Sequence, residues 1–306
     1  MIKHLSVMPS ETLDLLDVKE DGIYVDGTLG RGGHAKLILE KLKNGKLYCF
    51  DLDNQAIEES KEYLSAYKNV EFIHDNFANM FVYVKHVDGI LLDLGVSSPQ
   101  FDEANRGFSY RYDGLLDMRM NQDDELSAYD VVNKYSKEKL ADILFKYGEE
   151  KNAKRIAEKI IEARPIDTTF QLVDAIKSAL PSKALNKKGH PAKQSFQAIR
   201  IEVNHELDSL KKFLDSFDEY LNVNGRVVII TFHSLEDRLV KQHFKDISTV
   251  YENKKIAVLP SQIKKAPYVL LNHGVKASEE EVEMNHRAKS AIVRGVRKVY
   301  VKEESK

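Results

Sequence analysis

The sequence predicts an α/β fold with a Rossmann-like, doubly wound sheet interrupted by an inserted all-helical domain, and three observations carry that expectation. Four apolar runs of strand length each end in a polar residue: Ile23-Tyr-Val-Asp26, Leu47-Tyr-Cys-Phe-Asp51, Val70-Glu-Phe-Ile-His74 and Gly89-Ile-Leu-Leu-Asp93. A helical period, Lys36-Leu-Ile-Leu-Glu-Lys-Leu42, and an Asn44-Gly45 turn separate the first two, as a βαβ unit requires. After Phe108 strand-like runs cease until Leu221, and Gly225-Arg-Val-Val-Ile-Ile-Thr231 then resumes the sheet. The expected domains are a discontinuous sheet domain over 1–107 and 222–306 and a helical domain over 108–221.

The first strand opens into a glycine-rich turn. Gly30, Gly32 and Gly33 let the backbone approach a ligand, and the helix starting near His34 points free N–H groups at the same place. A dinucleotide fingerprint, G-x-G-x-x-G, fails at its sixth position, which is Ala35. The pattern Asp26-x-Thr28-x-Gly30-x-Gly32 is instead the loop of S-adenosylmethionine (SAM) methyltransferases, with Thr28 where a glycine is usual. Asp51, at the second strand end, is placed to accept both ribose hydroxyls. Asp75-Asn-Phe77 follows the third strand, so that Phe77 lies against the adenine.

The fourth strand ends in Asp93 and leads to Ser97-Ser-Pro-Gln-Phe101. Methyl transfer is an in-line displacement, so the task is to align acceptor and donor in a water-poor pocket. An exocyclic amine is a poor nucleophile because its lone pair is delocalised. Acceptors aimed at its protons favour the tetrahedral nitrogen that attacks. Ser98-Pro99-Gln100-Phe101 resembles the fourth-strand motif of amino-group methyltransferases, with Gln100 replacing a second proline. Ser98 would accept from the amine, and Phe101 would stack on a base drawn out of its helix.

Within the insertion, Leu140, Ile143, Leu144 and Tyr147 follow one helical stripe, and Ala153, Ile156, Ala157, Ile160 and Ile161 follow another that stops at Pro165. Thr168-x-x-Gln171 reads as a capping box for a helix ending at Pro181. A long helix is expected from about Lys193, with Leu207, Leu210, Phe213, Leu214 and Phe217 as its apolar stripe. After the returning strand, Ser234-x-x-Asp237 is expected to cap a helix next to His233, and Ala291 to Val296 to form a late strand whose basic side faces RNA. Glu279–Glu283 and Lys302–Lys306 read as solvated.

The chain has 306 residues, 42% of them apolar, enough for about two domains with a sizeable core. Its single cysteine, Cys49, excludes a disulfide framework and suits a reducing cytoplasm. The start Met-Ile-Lys-His-Leu-Ser lacks the apolar core expected of a signal peptide and no run reaches membrane-spanning length, so no membrane is expected. A formal net charge of −2 gives no overall drive toward nucleic acid. Its distribution does: Ala175 to Ile201 holds no acid but carries Lys177, Lys183, Lys187, Lys188, Lys193 and Arg200. Asn253 to Ser278 likewise carries Lys254, Lys255, Lys264, Lys265 and Lys276 without an acid. Such stretches suit a phosphate backbone or a solvated surface. The histidines and one cysteine form no metal set, and no metal is expected.

Gly30-Arg-Gly-Gly-His34, Asp93-Leu-Gly-Val-Ser-Ser-Pro-Gln100, Arg106-Gly-Phe-Ser109, Leu116-Asp-Met-Arg-Met120, Tyr147-Gly-Glu-Glu150, His190-Pro-Ala-Lys193, Phe196-Gln-Ala-Ile-Arg-Ile201 and Thr231-Phe-His-Ser-Leu-Glu-Asp237 resemble the bacterial ribosomal RNA small-subunit methyltransferase H family over nearly the whole chain. The resemblance implies a class I SAM-dependent methyltransferase that methylates N4 of cytidine 1402 in the decoding centre of 16S rRNA, within the 30S subunit, in the cytoplasm. It places SAM against Gly32, Gly33, His34, Asp51, Phe77, Asp93 and Gln100. Ser98, Pro99 and Asp93 are the catalytic candidates, and Phe101, Asp117, Lys193 and His233 the substrate candidates. Three departures stand out: Gln194 where an arginine commonly follows His-Pro-Ala-Lys, Leu115 where a proline is usual, and Asn285-His-Arg-Ala-Lys-Ser-Ala291 where Asn-Pro-Arg-Ala-Arg-Ser-Ser is common. An assembly factor that keeps the fold, and a DNA cytosine methyltransferase, are the alternatives. The second lacks a major-groove reading module, and no DNA partner is expected.

Overall fold

A computed structural model describes residues 6–186, 189–250 and 265–300. Along the sheet run β1 (Ile23–Asp26), β2 (Lys46–Asp51), β3 (Val70–His74), β4 (Val87–Asp93), β5 (Leu221–Thr231), β6 (Tyr268–Leu270), β7 (Val275–Lys276) and β8 (Ile292–Lys298). Their order is β3-β2-β1-β4-β5-β8-β6, with β7 also pairing β8. The first five strands are parallel, and β8 runs antiparallel to β5, β6 and β7. The order reverses at β1 and β4, so the crevice past their carboxyl ends is the topological switch point where such sheets bind ligands. This is the doubly wound class I methyltransferase fold that the sequence predicts.

Parallel strands must be covered on both faces, and here successive residues feed two cores. Val25, Phe50, Ile90, Leu92, Val227 and Ile229 belong to one. Tyr24, Leu47, Cys49, Leu91, Val228 and Ile230 belong to the other, packed with Leu16 of α1 (Pro9–Leu16), Ile38 of α2 (Gly33–Leu39) and Ile57 of α3 (Asn54–Tyr63). Asp53 caps α3 by accepting the Gln55 amide at 3.1 Å.

The chain divides into two compact units with boundaries after Gly95 and before Ser209. The expected boundaries, 107/108 and 221/222, were later at both ends. Val96 already packs against the helical core, while Leu210, Phe213 and Phe217 belong to a sheet core. The helical unit holds α4 (Ser98–Asp102), α5 (Ala128–Lys134), α6 (Lys137–Gly148), α7 (Ala153–Ala163), α8 (Thr169–Ala179), α9 (Ser182–Leu185) and α10 (Lys193–Asn204). The predicted stripes bury as expected: Leu140, Ile143, Leu144, Ile156, Ala157 and Ile160 share one core. Thr168 and Gln171 form the predicted capping box of α8.

The long helix expected from Lys193 is two helices. Its break falls at His205, whose left-handed φ of 50° ends α10, and α11 (Glu206–Ser216) follows. Phe196, Ile199 and Val203 fill the helical core, whereas Leu210, Phe213 and Leu214 fill a sheet core. The acidic run Glu279–Glu283 is not merely solvated: it forms α13 (Glu279–Met284), after α12 (Ser234–Ile247), and Ser278 caps it. Lys302–Lys306 lie outside the described residues. Among the described residues no helix is long and apolar enough to cross a membrane.

Candidate functional site

The cradle is built at the carboxyl ends of β1, β2 and β4. Chain geometry dictates the glycines: a Cβ on Gly27 would run into Leu92, and Gly32 takes a φ of +75° at the start of α2, a left-handed conformation costly for other residues. A Cβ on Gly33 would strike the Ser6 hydroxyl. Gly30 has a φ of +51° and nothing within 4 Å of its side-chain direction, so the turn is open above it. Pairing to the strand tips fixes the turn: the Gly27 amide donates to the Leu91 carbonyl and the Leu29 amide to the Phe50 carbonyl, both at 2.9 Å. The Asp93 amide donates to the Thr28 hydroxyl at 2.6 Å, and Ser60 donates to the Gly30 carbonyl at 3.0 Å. Thr28, the residue standing in for a glycine, thus ties β4 to the turn.

Three ionisable groups meet beneath it. Asp26 is 1% exposed; one carboxylate oxygen accepts the Thr28 amide at 3.2 Å and the other has no hydrogen-bond partner. His34 is buried, with Nε2 3.5 Å from an Asp93 oxygen. That separation is too long for a good hydrogen bond, so we read the contact as electrostatic; Asp93 Oδ1 is without a hydrogen-bond partner. Burial pushes the Asp26 carboxyl up to about 7, with His34 pulling the other way. Burial opposes a charge on His34, but the neighbouring Asp93 and Asp26 outweigh it and raise its pKa. Asp51 accepts the Gly30 amide at 2.7 Å and the Asp53 amide at 2.8 Å, and burial lifts its carboxyl to about 6.

Asp26, Asp51 and His34 all have raised pKa values. The stability each contributes is therefore complete below its unfolded value and is lost as pH rises through its folded value. The free protein accordingly loses thermal stability between about pH 4 and pH 7 and beyond. Asp26→Asn should flatten that fall and raise the melting point at pH 8, a shift of this size corresponding to a stabilisation on the order of 4 kcal/mol. Calorimetric scans of both proteins across this range check it; a parent whose melting point climbs steadily to pH 8 contradicts it.

Phe77 opens the turn after β3, where Asn76 accepts the Ala78 amide at 2.8 Å; its half-buried ring meets Phe213 edge to face at 6.1 Å. Gly32, Gly33, His34, Asp51, Phe77 and Asp93 thus all belong to the sheet unit, at strand ends, in the turns after them or, for Gly33 and His34, at the start of α2. This arrangement fits SAM: a turn open above Gly30, and buried Asp26 and half-buried Asp93 each with one oxygen that lacks a hydrogen-bond partner, suited to a cationic donor.

Gln100 lies in the helical unit. Its side-chain oxygen accepts the Ser97 amide at 3.0 Å and so helps cap α4, a structural duty that the spacing Ser97-x-x-Gln100 could have signalled. Ser98 and Pro99 open α4, although the Ser98 side chain lies outside the described residues; Phe101 is half-buried in the same helix. Asp117 is engaged by Arg119, which reaches one carboxylate oxygen at 2.7 Å, and both belong to a loop whose Met118 is buried at a φ of 58°. Buried Asn204 holds that loop, accepting the Met120 amide at 2.7 Å and donating to the Met118 carbonyl at 2.8 Å. Sequence reasoning missed Asn204, which carries no motif. Lys193 is exposed at the start of α10.

Two expectations are corrected. The residue capping α12 is His233, which accepts the Glu236 amide, instead of Ser234; its Nε2 lies 3.1 Å from buried Glu236, so the ring is held as a structural cap. The basic side of β8 does not face RNA: Arg294 is buried in a pair with Asp237, and Lys298 is buried against the Asp218 and Leu221 carbonyls. Arg200 is likewise engaged, by Glu206 at 2.8 and 2.9 Å. Lys187, Lys188, Lys254, Lys255 and Lys264 lie outside the described residues.

The family model described as the MraW methylase family matches residues 1–299. Among solved structures, an rRNA methylase from Streptococcus thermophilus aligns over 98% of this chain and 99% of its own, at 15% identity and a TM-score of 0.42. A putative rRNA-methylase from Clostridium thermocellum aligns over 97% and 100%, at 12% identity and 0.44. A putative methyltransferase from Streptococcus mutans in complex with SAH aligns over 98% and 100%, at 15% identity and 0.41. Structural likeness at this level adds nothing to the family match.

Proposed function

The chain belongs to the MraW methylase family, that of the 16S rRNA methyltransferase H enzymes, and is a SAM-dependent methyltransferase of ribosomal RNA; from that premise we propose that it methylates the N4 amine of cytidine 1402 in 16S rRNA, on the 30S subunit, in the cytoplasm. The observation that carries the reading is the trio of buried Asp26, buried His34 and half-buried Asp93 under an open glycine turn at the switch point of the sheet.

When bound, SAM supplies an electrophilic methyl group on a positively charged sulfur. In our reading Asp51 accepts its ribose hydroxyls, Gly32 and Gly33 let the backbone close on it, and Phe77 covers the adenine. Asp26 and Asp93, with His34 near them, give the pocket the negative potential a cation needs. Gln100, which the family resemblance assigns to the cofactor, also caps α4. Ser98 and Pro99 present an acceptor to the amine of the cytidine, which lets the nitrogen become tetrahedral as it attacks. Asp93 Oδ1, lacking a hydrogen-bond partner, takes the proton that the methylated amine sheds. Phe101 stacks on the displaced base, and Asp117, Lys193 and His233 complete the substrate side, Asp117 and His233 through the elements they hold in place.

Small subunits lacking the modification should be incubated with SAM bearing a deuterated methyl group, and nucleosides from their 16S rRNA analysed by mass spectrometry. The proposal expects labelled N4-methylcytidine at one site. Label on another base or at another cytidine overturns the assignment, and label in neither 30S particles nor naked 16S rRNA favours a binding factor instead. Ser98→Ala is expected to bind SAM like the parent and turn over at least about tenfold more slowly, in proportion to one lost transition-state acceptor. Equal turnover in single-turnover assays removes Ser98 from the chemistry.

A further inference from the structure

We propose that the helical unit carries a stacking platform for unpaired RNA, formed by Tyr110 and His190 and flanked by Arg111, Lys177 and Lys193. This rests on the RNA substrate proposed above and names the surface that meets it. The two rings lie face to face, 4.2 Å between centroids and 7° from parallel. Tyr110 in turn abuts the buried Phe196 edge to face at 5.7 Å, so the inner ring is anchored in the core and half-buried His190 is the outer leaf.

Local bonding fixes the outer leaf. The His190 Nδ1 accepts the Ala192 amide at 3.3 Å, and its carbonyl accepts the Lys193 amide at 3.1 Å. An accepting Nδ1 leaves the ring proton on Nε2, which makes it a donor. Gly189, at a φ of +105°, supplies the turn that brings the histidine over the tyrosine. Burial, then Lys177 and Arg111, lower the His190 pKa, so the ring is neutral at pH 7 and offers an uncharged face with cations beside it.

A flat neutral ring ringed by cations is the chemistry that holds a single-stranded base and its phosphate. Arg111, Lys177 and Lys193 are exposed, and none is in an ion pair with a carboxylate among the described residues, whereas Arg119 and Arg200 are both engaged by acids. No acid occurs between Ala175 and Ile201 to repel phosphate. A folded RNA duplex would not present a free base face, so the platform selects unpaired nucleotides.

The test uses the full-length protein and a fluorescein-labelled, single-stranded RNA of mixed sequence, read by anisotropy without SAM. His190→Ala is expected to weaken binding about tenfold, and His190→Phe, which keeps a ring to stack on, to stay within about twofold of the parent. Lys177→Ala should lower the slope of log affinity against log salt by about one. In the methylation assay His190→Ala should raise the KM for RNA with kcat nearly unchanged, and leave SAM binding and the melting point as in the parent. Parental affinity in His190→Ala, failure of His190→Phe to recover binding, or displacement of the RNA by polyglutamate as readily as by unlabelled RNA would each overturn the platform. Since RNA binding is read apart from methyl transfer, a protein that binds through the platform yet transfers no methyl group would refute the proposed reaction and leave the platform standing.

Discussion

Asp51→Ala is expected to lower affinity for SAM by at least about a hundredfold while the protein remains folded. Hydrogen bonds to a charged group contribute about 1.5–3 kcal/mol each, and in the proposed assignment one carboxylate serves both ribose hydroxyls, so losing both costs at least two factors of ten. The fold tolerates the change because Asp51 is not comfortable where it is: burial lifts its carboxyl to about 6, so the free protein holds it against a desolvation penalty. What the substitution removes structurally is two backbone contacts, from the Gly30 and Asp53 amides. The turn should loosen, with a stability loss below about 2 kcal/mol. Titration calorimetry measures the first quantity and thermal melting the second. Unchanged affinity would move the ribose elsewhere, and a molten variant would show that Asp51 serves the fold first.

Arg294→Met is expected to be the most destabilising single change outside the cores, at about 3–5 kcal/mol. Arg294 is 8% exposed, and its guanidinium bonds Asp237 at 2.8 and 3.1 Å and donates to the His273 carbonyl at 2.6 Å. Gly274 is a glycine because a Cβ there would press on that guanidinium at 2.7 Å. The pair joins β8 to α12 behind the end of β5, where Thr231 also contacts Asp237 at 3.4 Å. Removing the arginine alone leaves the half-buried Asp237 carboxylate without its cation; removing both charges as Arg294→Met with Asp237→Leu should recover much of the loss. Denaturant titration of the three proteins tests this. The salt dependence of RNA binding should not move, because the arginine faces inward; a change in that slope would restore the RNA-facing strand read from the sequence.

Much of the sheet unit was legible because strand ends advertise themselves. An apolar run with a carboxylate at its tip has only one way to lie in a parallel sheet, so Asp26, Asp51 and Asp93 arrive at one edge once the order β2-β1-β4 is fixed. The turn was legible for a similar reason, since the glycines answer to crowding and positive φ in the backbone itself. Features set by distant partners were not. The period through Lys193 to Phe217 is helical on both sides of His205, and nothing in it says that two different cores claim its halves. Arg294 and Lys298 look like surface cations in the sequence because Asp237 and the Asp218 carbonyl lie far away along the chain. Gln100 has the right type for a cofactor contact and the right spacing for a cap, and spacing alone does not choose between them. Asn204 and the stacked Tyr110 and His190 carry no local pattern; only the folded chain brings them to their partners.

The most direct test of the account is a calorimetric titration of the intact protein with SAM at pH 6 and pH 8, in buffers of different ionisation heat. A cradle whose carboxylates are partly protonated when empty must give up protons to hold a cation. The account predicts saturable one-to-one binding that tightens toward pH 8 and releases protons at pH 6. No saturable heat at either pH, or binding that weakens as pH rises, would contradict it.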